Sequence, residues 1–110
     1  MPDYTTRSAL AEAVRMLAPK AIDPVMTTGE PIVLLYAIAE CHAALIHFGS
    51  QNTVPAGERV AMAAPLMATL PSLTAVADAH PTITDLYSAA EIIAATENAI
   101  RDGDSTLSLG

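Results

Sequence analysis

Apolar positions recur at helical spacing along most of this chain, and proline, glycine and threonine interrupt them. The first helix is expected from about Thr6 to Ala18. Leu10, Ala13, Val14 and Leu17 share one face, Ser8, Glu12 and Arg15 lie opposite, and Pro19 is the stop. A linker from Lys20 to Thr28 follows. The second helix starts at Gly29 or Glu30, with Thr28 as N-cap, and runs to Phe48, where Gly49 closes it. It is apolar almost all round, which predicts a central and most-buried helix. A third helix is expected from about Pro55 to Leu70, kinked or split by Pro65, with a short helical segment from Pro71 to Ala79. The last helix spans roughly Ile83 to Asp102, with Thr82 or Thr84 as cap and Gly103 as stop. No strand alternation is visible. The fold expected is all-α: one small four-helix bundle over residues 1–103, with a polar tail at 104–110.

Composition sharpens that picture. The chain of 110 residues is 52% hydrophobic and only 15% charged, against ~25% charged for an average soluble domain. Alanine accounts for part of this, and it adds little apolar bulk. The remainder exceeds what one small monomer hides, which predicts self-association or a protein partner. The net charge is −7, and the five basic residues Arg7, Arg15, Lys20, Arg59 and Arg101 are scattered. With no basic patch and no Trp, nucleic-acid binding is not expected. The second helix approaches membrane-spanning length, but Glu40, His42 and His47 oppose insertion. No Lys or Arg flanks it closely, so no membrane partner is expected either. The first residues lack the regions of a signal peptide, and the lone Cys41 agrees with a reducing compartment. The chain therefore reads as soluble, acidic and cytoplasmic.

Catalytic chemistry finds little to stand on. Cys41 and His42 are adjacent, so on a helix they point ~100° apart and form no dyad. Glu40 and His47 share a face but lie ~10 Å apart along the axis, too far to share one metal readily. The small residues Ala37 and Ala44 lie between them. Neither Glu-x-x-His nor HExxH is present. Asp78 and His80 read as a solvated turn. No metal or cofactor is expected, and an enzyme is the less favoured reading.

The expected function is a non-catalytic helical interaction or assembly module, an oligomer or a subunit of a larger complex of accessory, regulatory or viral-type assembly. Its contacts are expected on Val60, Met62, Leu66, Met67 and Leu70, or on the small-residue strip of the second helix. Leu107 and Leu109 are expected to dock the tail onto a neighbouring surface. The alternative is a small-molecule- or metal-binding bundle, possibly an enzyme, using His42 and Glu97. Those two residues break otherwise apolar stripes of the second and last helices. An unpaired buried charge is costly. They are therefore expected to pair, within the chain or across a subunit interface.

Overall fold

The computed structural model describes residues 3–48, 56–103 and 106–108. Four helices make up nearly all of it: α1 (Thr6–Ala21), α2 (Glu30–Phe48), α3 (Ala56–Ala79) and α4 (Thr84–Asp102). The expected all-α four-helix bundle is the fold. Two short strands, β1 (Asp3–Thr5) and β2 (Thr106–Ser108), accompany it.

The helix starts follow local hydrogen-bond chemistry. Thr5 caps α1, its Oγ1 accepting from the Ser8 N–H at 3.2 Å. At α2, the carboxylate of Glu30, the first residue of the helix, reaches back to accept from the Thr27 N–H at 2.8 Å. Gly29 turns the chain between them at φ +99°, a conformation that costs glycine nothing. At α4 neither expected cap is used; Ile83 occupies the N-cap position without a side-chain bond.

Three prolines expected to end or break helices sit inside them: Pro19 in α1, and Pro65 and Pro71 in α3. α3 runs as one helix, which excludes the split, one of the two outcomes expected at Pro65. Proline's fixed φ is itself helical; what it removes is one donor and the space beside residue i−4. All three prolines lie on exposed sides of their helices, where water reaches the freed carbonyls. The opposite sides are locked into the core by Leu17 and Ala21 in α1 and by Leu66 and Leu73 in α3. Burial of such side chains, at ~1.5–3 kcal/mol each, offsets a comparable helix penalty of ~3 kcal/mol per proline.

The helices form a ring. α1 packs on α2 and α4, and α3 packs on α4 and α2; α1 lies diagonal to α3, and α2 diagonal to α4. The central core joins Leu10, Leu17, Leu34, Leu66, Leu73, Leu86 and Ile93, all essentially without exposure. Gly103 ends α4 in the left-handed region at φ +81°, its N–H bonded to the carbonyls of Ala99 and Ile100. The Arg59 guanidinium lies where a Cβ would stand, so this stop is also a contact with the start of α3.

One further expectation is corrected. The most buried helix is α4, which hides Leu86, Ala89, Ile92, Ile93, Thr96, Glu97, Ala99 and Ile100. Among the residues of α2 whose side chains are described, Leu34, Ala37, Cys41 and Ala44 are buried. The tail also carries structure. β2 pairs antiparallel with β1, Tyr4 opposite Leu107, and joins the two ends of the chain.

Candidate functional site

α2 carries two apolar faces. Leu34, Ala37, Cys41 and Ala44, spaced three and four residues apart, meet the core. On the opposite side, Ile32, Leu35, Ala39, Ala43 and Ile46 repeat at the same spacing and face outward, flanked by Tyr36 and His42. The large side chains among them are far from covered: Ile32 is 58%, Leu35 56%, Tyr36 66% and Ile46 81% exposed. A single exposed apolar residue is ordinary; a stripe along one helix is not.

Beside this face lies an open groove of about 270 Å³ between α2 and α3, lined by Val33, Tyr36, Glu40, Pro65, Ala68, Thr69 and Ser72. Glu40 is the one carboxylate in its lining among the described residues. Thr69 donates its hydroxyl hydrogen to the Leu66 carbonyl at 2.8 Å and presents only oxygen lone pairs to any further partner. Pro65 gives no N–H to the Ala61 carbonyl, which in a helix points toward residue 65.

α2 and α3 share another property. By length and composition alone, Glu30–His47 and Gly57–Ala79 are each apolar enough to cross a membrane, and only 22% and 28% of those windows are buried in the bundle. α1 and α4 do not pass that test.

The expected interface residues fall into three groups. Val60 and Met67 are exposed, at 57% and 52%. Met62 and Leu70 are half-buried against the core, and Leu66 is fully inside it, which removes Leu66 from any surface. Leu107 lies in β2, its side chain outside the described residues, as is Leu109 altogether.

The expected pairing of His42 with Glu97 does not form within the chain. Their helices are diagonal, and His42 faces outward. Glu97 is buried, and its partner stands one turn on: the Arg101 guanidinium donates to its carboxylate at 2.9 Å. Arg101 also reaches Asn98. The buried hydroxyl of Thr96 donates to the Ile92 carbonyl at 2.7 Å. Every fully buried side-chain polar atom among the described residues has a partner.

Cys41 is no nucleophile. Burial pushes its thiol up to about 12, with a smaller contribution from the nearby Glu40 charge. Ala37 and Ala44, read as a polar helix edge or a close-approach strip, pack in the core beside it. Among the described residues no three His, Cys, Asp or Glu side chains converge as a metal site would require.

Two long-range contacts escaped the sequence. His80, just beyond α3, places Nε2 2.8 Å from Glu30 Oε2 at the start of α2. Tyr87 of α4 donates to Asp78 of α3 at 2.8 Å. The Thr27 N–H, and to a lesser degree His80, hold the Glu30 carboxyl below its ordinary value. Asp78 and His80 thus fasten one end of the bundle beside the exposed turn at Pro81 and Thr82. Nothing in the local sequence distinguishes fastening from solvation.

Comparison with protein-family models, with characterised proteins and with solved structures returns no match.

Proposed function

We propose that this chain is a helical assembly module that docks through the outward face of α2, in the first instance onto a second copy of itself. The observation that carries this reading is the stripe of Ile32, Leu35, Ala39, Ala43 and Ile46, with His42 at its edge, left uncovered by the bundle. Each exposed branched side chain keeps apolar surface in water, and covering it is favourable by about 25 cal/mol per Å². Small residues at Ala39 and Ala43 let a partner helix approach closely, so the larger residues above and below pack around them. An isologous contact places the same stripe on both copies. Cys41 inside the core and the absence of a metal cluster among the described residues give catalysis no comparable support.

The test is molecular mass in solution by light scattering, over a wide concentration range. The chain is 11.4 kDa, and the module reading expects a mass that rises to a multiple of this. The double variant Leu35→Lys, Ile46→Lys should remain at monomer mass with unchanged helical circular dichroism. A monomer at every concentration, with no partner required for solubility, would end the self-association reading.

A second reading has its own observation. α2 and α3, the two helices with spanning length and composition, are also the two with the least buried windows. A lipid phase would cover them as a protein partner would. Against it stand Glu40, His42 and His47 along α2, which are expensive in hydrocarbon. Flotation with lipid vesicles separates the readings: an assembly module stays in the aqueous fraction.

A further inference from the structure

We infer that the groove between α2 and α3 is a binding site for a small organic ammonium ion, a primary amine carrying a short apolar body. This goes beyond the assembly reading and does not depend on it. The groove's chemistry is one-sided. Its only carboxylate among the described residues is Glu40, and no Lys, Arg, His, Asn or Gln lines it. The Thr69 hydroxyl has already committed its hydrogen to the Leu66 carbonyl, so its oxygen can only accept. The donors that remain are the hydroxyls of Tyr36 and Ser72. A ligand that fits must therefore bring hydrogen-bond donors and positive charge; a primary ammonium brings three N–H groups.

The walls suit the rest of such a molecule. Val33, Pro65 and Ala68 supply apolar surface, and the Tyr36 ring offers a face to a cation. The volume of about 270 Å³ lies near the lower end of small-molecule pockets. The net charge of −7 raises the local concentration of cations and disfavours anions.

The experiment is a titration of the full chain with n-hexylammonium, followed by heteronuclear NMR, with hexanol and hexanoate as matched probes. Hexylammonium should bind about tenfold or more tightly than hexanol, with shifts centred on Tyr36, Glu40, Thr69 and Ser72, and hexanoate should not bind. Glu40→Gln should lower the hexylammonium affinity to that of hexanol. Ser72→Lys, on the exposed rim, should abolish binding by placing a tethered ammonium beside Glu40. Ile46→Lys, outside the groove, should leave the affinity unchanged even where it disperses an assembly, so this result and that of the assembly test are independent. Equal binding of hexanol, binding of hexanoate, retention in Glu40→Gln with native circular dichroism, or no binding up to about 10 mM would each overturn the inference.

Discussion

α1 and α4 differ from α2 and α3 in what they turn outward. α1 buries Ala9, Leu10, Ala13 and Leu17 and exposes Arg7, Ser8 and Arg15. α4 buries eight residues and exposes Asp85, Glu91, Asn98, Arg101 and Asp102. Both are amphipathic helices made for the border between core and water. α2 buries Leu34, Ala37, Cys41 and Ala44 and exposes Ile32, Leu35, Tyr36 and Ile46; α3 exposes Val60 and Met67 among alanines and prolines. All four contribute to the same core, so the difference is not needed for folding. Solvent alone does not account for a second apolar face, which keeps apolar surface in contact with water. The contrast sets the α2–α3 side of the bundle apart by the apolar surface it leaves uncovered.

The largest expected effect separates core from outward face. Ile93→Ala, in the fully buried centre of α4, should cost about 2–5 kcal/mol in denaturant unfolding. Ile46→Ala should cost under about 0.5 kcal/mol in a monomer, because its side chain already meets water. Comparable costs at the two positions would erase the distinction between the faces. Next, Pro65→Ala should stabilise the chain by about 1–3 kcal/mol, since it restores a donor to the α3 ladder. A destabilised Pro65→Ala would mean that the proline-shaped groove is packed and not open. Arg101→Ala should cost about 1–2 kcal/mol by leaving the buried Glu97 carboxylate without its partner. That would confirm that α4 satisfies its polar groups internally.

The smaller effects concern pH and thiol access. Glu30 has a folded pKa below its ordinary value. Its contribution is therefore present above the ordinary carboxylate range and is lost as pH falls through the folded pKa. Thermal melts of Glu30→Gln should show a weaker loss of stability on acidification than the wild type; an unchanged profile would remove the Thr27–Glu30–His80 link from the account. Cys41 should react with a thiol reagent at neutral pH only as fast as the bundle opens, because its thiol is buried and pushed up to about 12. Fast labelling in the folded chain would show that the core face of α2 is not closed.

Much of the bundle was legible in the sequence because helix faces are written in three- and four-residue spacing. α2 began and ended close to where its pattern does, and Gly103 stopped α4 because only a left-handed residue closes that end. The prolines misled because sequence marks the lost donor at Pro19, Pro65 and Pro71 but not that these sides face water. α2 misled in a different way. A helix apolar all round fits a central core helix and a helix with an uncovered second face equally well. His42 and Glu97 were placed on their stripes correctly, but stripes do not say which helices are neighbours, and here α2 and α4 are diagonal. The Glu97–Arg101 partner was within reach of the i, i+4 rule. The β1–β2 ladder was not legible, since six residues joined through the backbone leave no side-chain period.

A methyl-resolved NMR dilution series tests the central claim most directly, because it reads each face of α2 separately. The account predicts that the methyl signals of Ile32, Leu35 and Ile46 move together with concentration, while those of Leu10, Leu34 and Ile93 stay fixed. Signals of Ile32, Leu35 and Ile46 that remain unchanged while the chain associates, or movement confined to α1 and α4, would contradict it.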